Sequence, residues 1–297
     1  MIKVKGVTKT FGSFTALDSV DISVPDGAIY GLVGPNGAGK STIIRCITGI
    51  MRPDSGDILI GGEAVWENPQ AKGRIAYIPD DFFYFTQSST RDMMRFYKGV
   101  YPKFDAERYE SLKQVFNIDE KQPIRRLSKG MQKQVAFWLT LCCRPEVMVL
   151  DEPVDGLDPV MRRQVWSLIM SDVAQNGTTV LISSHNLREL EDVCDHVGIM
   201  GKGKMLLEHP LSELQDNISK VQIVLKEGGS LPENADILSR TAVGRVTTLI
   251  LRGSRQEVTN LLATADPLFM DVLPLTLEEI FIYELGGENY AVKDIVL

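Results

Sequence analysis

The sequence lacks the features of a membrane-spanning or secreted protein. Among its 297 residues no apolar run approaches the roughly 20 that a spanning helix needs. Residues 1–5 lack the apolar core of a signal peptide. Cysteine is scarce: the four thiols show no metal-ligand spacing, and each lies in an apolar context, at Cys46, Cys142, Cys143 and Cys194. We therefore expect buried thiols without disulfides, in a cytoplasmic protein that reaches any membrane through a partner.

Positive charge is in the minority. The chain has 32 lysine and arginine residues against 39 aspartate and glutamate residues, and a formal net charge of -7. This balance disfavours a duplex-binding surface, so we expect no nucleic acid among the partners. Internal repeats and low-complexity tracts are absent as well. The length suits one large domain with a small one, or two domains.

One phosphate-binding motif organises the chain. An apolar strand is predicted over residues 28–33 and a helix over 41–48. Between them, the glycines let successive N–H groups point inward at an anion, and the helix start adds further free N–H groups. Lys40 is predicted to reach the β- and γ-phosphates and Ser41 to hold Mg²⁺. The motif fits the P-loop pattern G-x-x-x-x-G-K-[ST] with Gly34, Pro35, Asn36, Gly37, Ala38, Gly39, Lys40, Ser41 and Thr42.

Two acids follow a second apolar strand. Residues 147–150 are fully apolar and lead directly to Asp151 and Glu152. A carboxylate at the C-terminal end of a central parallel strand faces the ligand crevice. Asp151 suits holding Mg²⁺, and Glu152 suits polarising the water that attacks the γ-phosphate. The alternative is a solvated acidic turn, which the upstream P-loop disfavours.

A histidine follows a third apolar strand, over residues 178–184. If that strand is central, His185 points into the same crevice, where a neutral imidazole can bridge the γ-phosphate and the general base. The alternative is a capping serine beside an incidental histidine. His196 and His209 have no such setting and are interpreted as structural.

The order of segments predicts an α/β protein. Strand-like and helical segments alternate up to about residue 217, which implies a mostly parallel sheet covered on both faces. Residues 80–144 are helical and aromatic-rich, and another helix is predicted over 187–194. Beyond residue 217, strand-like segments at 221–225 and 245–251 and a helical one at 256–262 indicate a small α+β appendage.

Together these motifs resemble the ATP-binding cassette (ABC) ATPases over about residues 1–215. Residues 127–131 resemble the family's signature, usually LSGGQ, although Ser128 alone is equally a helix N-cap. Residues 155–158 match the D-loop, with Asp158 its characteristic acid. The resemblance implies a P-loop NTPase fold with an N-terminal antiparallel β subdomain and a helical subdomain at about 81–145. The ABC domain would span 1–217 and the small C-terminal domain 218–297.

The resemblance also implies how the site works. Two such domains pack head to tail, so Ser128, Lys129 and Gly130 would contact ATP bound by the partner subunit. Glu152 would be the catalytic glutamate and His185 the switch histidine. ATP and Mg²⁺ are the implied cofactors, and the aromatic ring of Phe11 would stack on adenine. ATP closes the dimer and its hydrolysis releases it, which drives membrane subunits on separate chains from the inner face of the cell membrane.

Two departures from the family pattern stand out. Asp80 occupies the place of the Q-loop glutamine; an acid can still coordinate Mg²⁺, but with shorter reach and an added negative charge. In the signature, Lys129 replaces a glycine and Met131 a glutamine. A lysine near the γ-phosphate is electrostatically acceptable, and it slightly favours pairing with a different chain.

Four consecutive aromatic residues, 82–85, follow Asp81. They do not fit a one-faced element, so we expect some to be exposed. The resemblance places docking of the membrane subunit here, near Asp80 to Phe85; the alternative is a locally packed aromatic loop. Residues 274–281 are similar to the closing segment of ABC-2 drug and lipid exporters, which favours export. The rival functions are a non-transport ABC ATPase and a nucleotide-gated module with little turnover.

Overall fold

The computed structural model describes residues 1–82, 84–211, 213, 217–232, 234–279 and 283. Two compact units divide the chain: Met1–His185 with Val193–Glu208, and Asn186–Asp192 with His209–Leu297. The division falls near the expected boundary at residue 217, which itself stays a prediction. Among the described residues, no helix combines the length and apolar character needed to cross a bilayer.

The first unit contains strands, helices and a short 3₁₀ turn, Ile124–Arg126. In chain order its elements, with α7 of the second unit included in sequence, are β1 (Ile2–Phe11), β2 (Phe14–Val24), β3 (Ile29–Val33), α1 (Lys40–Ile47), β4 (Ser55–Ile60), β5 (Glu63–Ala64), α2 (Pro69–Lys72), β6 (Ile75–Ile78), α3 (Thr90–Val100), α4 (Ala106–Phe116), α5 (Lys129–Cys142), β7 (Val147–Asp151), α6 (Pro159–Asn176), β8 (Thr179–Ser184), α7 (Arg188–Glu191), β9 (His196–Gly201) and β10 (Lys204–Pro210).

An antiparallel sheet in the order β2-β1-β4-β5 confirms the expected N-terminal β subdomain. Strand β1 buries Ile2, Val4 and Val7, because side chains two apart along a strand point to the same face. The intervening residues are more exposed. One face of this sheet therefore joins the main core of the unit.

The central sheet has the order β10-β9-β3-β8-β7-β6. Strand β3 pairs in parallel with β8 and β9, and β7 pairs in parallel with β8 and β6. All residues of β3, β7 and β8 are buried, as expected for strands covered on both faces. The carboxyl ends of these three strands consequently lie side by side, which brings together the three motifs that follow them.

Aromatic packing holds the helical subdomain together. The rings of Tyr109 on α4 and Trp138 on α5 stack with centroids 4.6 Å apart, and Trp138 Nε1 donates to the Tyr109 carbonyl at 2.9 Å. Phe116 adds a second ring, 6.1 Å from that of Trp138. Because the indole N–H has a partner, this large side chain is buried without an unsatisfied donor.

The helix expected over 187–194 is wrong in extent. Helix α7 covers only Arg188–Glu191. At Asp195 the chain is already hydrogen-bonded to the central sheet. The Asp195 N–H donates to the Ile29 carbonyl at 2.9 Å, and Asp195 Oδ2 accepts from the Ile29 N–H at 2.8 Å. Pairing with β3 outweighs the local helical spacing.

The described elements of the second unit after β10 are β11 (Ile218–Val224), β12 (Ile237–Val243), β13 (Val246–Arg252), α8 (Arg255–Ala263) and β14 (Phe269–Leu273). The strands form an antiparallel sheet in the order β12-β13-β11-β14. Buried apolar side chains from β11, β13 and α8, among them Val221, Leu249 and Val258, form its core. Ser254 and Glu257 cap α8 reciprocally. The arrangement confirms an α+β appendage.

Candidate active site

The loop between β3 and α1 forms the floor of the site. Gly39 precedes α1 with φ 106°, a left-handed conformation that favours glycine. A Cβ on Gly39 would lie 2.8 Å from the carbonyl oxygen of Ala16, so the position also has no room for a side chain. Helix α1 begins at Lys40, and its unpaired N-terminal N–H groups lie at the loop. The loop is therefore built for an anion.

A cavity of about 280 Å³ lies over this loop. It brings the P-loop together with two acids that are distant in sequence. Gly34 and Asp151 lie outside the lining. The lining residues are Phe14, Ala16, Pro35, Asn36, Gly37, Ala38, Gly39, Lys40, Ser41, Thr42, Asp80 and Glu152.

The ammonium of Lys40 is buried at this cavity. Its Nζ donates to the Gly34 carbonyl at 2.5 Å and lies 3.9 Å from Glu152 Oε1. Burial lowers the pKa of Lys40, while the carboxylates of Glu152 and Asp151 act in the opposite direction. An anion over the loop would further favour the charged amine, as a phosphate contact requires.

Strand β7 ends at Asp151, which is buried and accepts a hydrogen bond from Ser183 Oγ at 2.5 Å. The next residue, Glu152, has φ 47°, an uncommon value for a residue with a side chain. Its N–H donates to the carbonyl and the Oγ of Ser183, each at 3.2 Å. Strand β8 thus holds the turn that directs the Glu152 side chain.

The carboxylate of Glu152 contacts His185, with 2.9 Å between Oε2 and Nδ1. Burial raises the pKa of Glu152, and the hydrogen bond from His185 and the charge of Lys40 act against that rise. A desolvated carboxylate with raised pKa is a stronger base than an exposed one, which suits proton abstraction from water. The structure therefore brings His185 to Glu152 as expected, but His185 does not line the cavity. The catalytic roles of both residues stay predictions.

Asp80 follows β6 and lines the cavity. Burial raises the pKa of its carboxyl; the nearby charge of Lys133 opposes this, and that of Asp151 adds to it. The carboxylates of Asp80 and Asp151 and the hydroxyl of Ser41 are hard oxygen donors. The donor chemistry at the loop therefore fits Mg²⁺.

The signature residues lie outside the cavity of their own chain. Ser128 caps α5 by accepting from the Met131 N–H at 3.3 Å, and both Ser128 and Lys129 are exposed. A Cβ on Gly130 would lie 2.8 Å from the carbonyl oxygen of Gly156, so α5 approaches the D-loop closely. Asp158 caps α6, accepting from two backbone N–H groups at 3.0 Å.

Residues at the site that were not predicted from the sequence include Phe14 and Lys133. Phe14 lines the cavity, whereas Phe11, its partner across the β1–β2 turn, does not. The centroid of the Phe11 ring lies 5.8 Å from Lys9 Nζ. Phe14 and Ala16 are two positions apart on β2 and so share one face of the strand, which is the sequence signal that could have indicated Phe14. The second is Lys133, whose Nζ donates to the Glu152 carbonyl at 2.7 Å. No sequence signal separated it from Lys129, one turn earlier.

Comparison with known proteins shows the family of this chain. A family model described as ABC transporter matches residues 17–155. The chain is 31% identical to the ABC transporter ATP-binding protein YtrB of Bacillus subtilis (strain 168), over 97% of this chain and 99% of that protein. It is 34% identical to the bacitracin transport ATP-binding protein BcrA of Bacillus licheniformis, over 72% of this chain and 71% of that protein.

A solved ATP-binding subunit of an ABC transporter superposes with a TM-score of 0.68 at 26% identity, covering 72% of this chain and 92% of that one. The fold and site define a P-loop NTPase. More narrowly, the chain belongs to the family of ABC transporter ATP-binding proteins. It is an ATP-binding and ATP-hydrolysing subunit, and proteins of this family dimerise and work with transmembrane subunits.

Proposed function

We propose that this chain powers an exporter by Mg²⁺-dependent ATP hydrolysis at a site completed by a second ATPase subunit. The observation that carries the proposal is the 2.9 Å contact between Glu152 and His185 at the wall of the P-loop cavity. It supplies a general base and a group that orients it, both next to the place for the γ-phosphate.

The residues have distinct roles in the proposed reaction. Lys40 and the N–H groups at the start of α1 hold the β- and γ-phosphates. Glu152 orients the attacking water and accepts its proton, while His185 holds the Glu152 carboxylate. Ser41, Asp151 and Asp80 would hold Mg²⁺, which would neutralise charge on the phosphates.

The position of the signature supports a two-subunit site. Ser128 and Lys129 are exposed at the start of α5, where free helical N–H groups favour an anion. They do not line the cavity of their own chain. A second subunit, identical or related, would bring its signature to this phosphate site, with Asp158 at the interface and Phe11 beside the adenine.

Relatives favour export over import. BcrA is named for bacitracin transport, and a relative of Streptomyces coeruleorubidus, 30% identical over 82% of this chain, is the daunorubicin resistance ATP-binding protein DrrA3. The closing segment that suggested export lies partly outside the described residues, at 280 and 281. We propose an amphipathic or peptide-like compound as cargo, moved by separate membrane subunits.

An aromatic patch supports the docking site near Asp80 to Phe85. The rings of Phe85 and Phe96 meet edge to face 5.3 Å apart and are 53% and 48% exposed. Tyr84 is buried and its hydroxyl donates to the Gln132 carbonyl on α5 at 3.1 Å. Phe83 lies outside the described residues. Apolar contact there would hold the subunit at the inner membrane face and link the membrane partner to the signature helix.

An ATPase assay of Glu152→Gln against wild type tests the proposal. The amide cannot accept the proton, so we expect turnover to fall by about 10²-fold or more. Because phosphate binding is retained, ATP should hold the variant as a dimer on size-exclusion chromatography. Equal turnover in the two proteins would overturn the assignment of Glu152.

A further inference from the structure

A buried lysine lies behind the candidate general base. Lys133, on α5, is only 5% exposed, and its ammonium donates to the backbone carbonyl of Glu152 at 2.7 Å. The two residues are 19 positions apart in sequence. Lys133 is not among the residues that line the cavity, so it reaches the site through the backbone of Glu152.

Burial and nearby charges act on the ammonium of Lys133. Burial lowers its pKa, and the charges of Asp80, Asp155, Glu152 and Asp151 oppose that shift. The ring of Phe82 covers the ammonium, with its centroid 5.9 Å from Nζ. A buried ammonium is costly unless it is paired or hydrogen-bonded, and the hydrogen bond to the Glu152 carbonyl meets this condition.

The contact with Lys133 completes the restraint on Glu152. Ser183 holds the Glu152 N–H from β8, and Lys133 holds the Glu152 carbonyl from α5. The residue between these two hydrogen bonds has the left-handed φ of 47°. Strained backbone persists where its surroundings determine it, and the direction of Cβ follows from that backbone.

We propose that Lys133 is a positioning residue for hydrolysis: its hydrogen bond to the Glu152 carbonyl holds Glu152 in the conformation that directs its carboxylate to the attacking water. This inference rests on the proposed function, because it assigns Lys133 a part in the step that Glu152 performs.

The test compares Lys133→Met with wild type in the full-length chain. Methionine fills a similar volume without charge or donor. We expect kcat to fall about ten- to hundredfold, because small misplacements of a catalytic group have effects of this size, with KM for ATP changed less than about threefold. Lys121→Met, at an exposed lysine, is the matched control and should keep wild-type kcat.

A second measurement separates positioning from general support of the signature helix. In the Glu152→Gln background, Lys133→Met should leave the ATP-induced dimer intact, because it touches no phosphate contact. Loss of that dimer, or wild-type kcat in Lys133→Met, overturns the inference. If Lys133→Met does not fold, Lys133→Gln is used, and wild-type kcat there overturns it equally. Absence of ATPase activity in wild type would instead contradict the proposed function.

Discussion

His185 and Glu152 meet across two neighbouring parallel strands, with Nδ1 and Oε2 2.9 Å apart although the residues are 33 positions apart in sequence. Strand β7 ends just before Glu152, and β8 ends just before His185. Register pairs Asp151 with Ser183, so the residues after the two strands are held side by side. Sheet pairing therefore builds the acid–imidazole contact.

Replacement of His185 by alanine should impair chemistry more than binding. Without the imidazole, the Glu152 carboxylate loses the group that orients it, and we expect kcat to fall roughly 10²-fold with a small change in ATP affinity. ATPase kinetics and binding of a fluorescent ATP analogue provide the measurement. His209→Ala, at a half-exposed histidine outside the site, is the control and should behave as wild type.

Complementation between two inactive variants should show that the site is shared. Lys40→Ala removes the P-loop cation, and Ser128→Arg blocks the signature. Each protein alone should be nearly inactive. Mixed dimers contain one site with an intact P-loop and an intact signature, so an equal mixture should recover roughly a quarter of wild-type ATPase activity.

Recovery requires exchange of subunits, which a cycle of ATP removal and addition provides. A mixture that stays at the level of the separate variants, while wild type mixed with Lys40→Ala exchanges normally, would argue against a site built from two chains.

Polar substitution on the aromatic patch should uncouple the subunit from its membrane partner. Phe85→Ser with Phe96→Ser removes two exposed rings without touching the cavity. We expect the isolated chain to keep ATPase activity within about twofold, while co-purification with the membrane subunits is lost. Phe269→Ser, at an exposed phenylalanine in the second unit, is the matched control.

Asp54 should make stability depend on pH in the acid range. Hydrogen bonds from Lys9 Nζ, Thr10 Oγ1 and Thr10 N–H, each 2.7 Å, lower the pKa of Asp54 to about 2 from its ordinary 3.8. Because the folded pKa is the lower one, the stabilisation is present above about pH 4 and is lost as pH falls through 2.

Urea unfolding of wild type and Asp54→Asn at several pH values measures this effect. The difference between their midpoints should be largest near pH 5 and should shrink towards pH 2. A difference that is constant with pH would show that the carboxylate charge contributes nothing.

Much of the fold was predictable because its signals are local. Helix α4 has the bounds expected from its spacing, Ala106–Phe116, and Gly177 ends α6 in the left-handed conformation. Strands β12 and β14 were not predicted, because none of their residues is buried and neither strand therefore has a strongly apolar face. Pairing with β13 and β11 makes these segments strands.

The sequence by itself determined the phosphate-binding loop, the acids at the end of β7 and the histidine after β8, because each motif is contiguous and its chemistry follows from neighbouring residues. Only the tertiary structure decided which side chains meet. The order β3-β8-β7 brings Lys40, His185 and Glu152 together, and α5 carries Lys133 to the Glu152 carbonyl. The physical reason is that strand order and helix packing follow from burial of apolar surface over long separations, which no local spacing records.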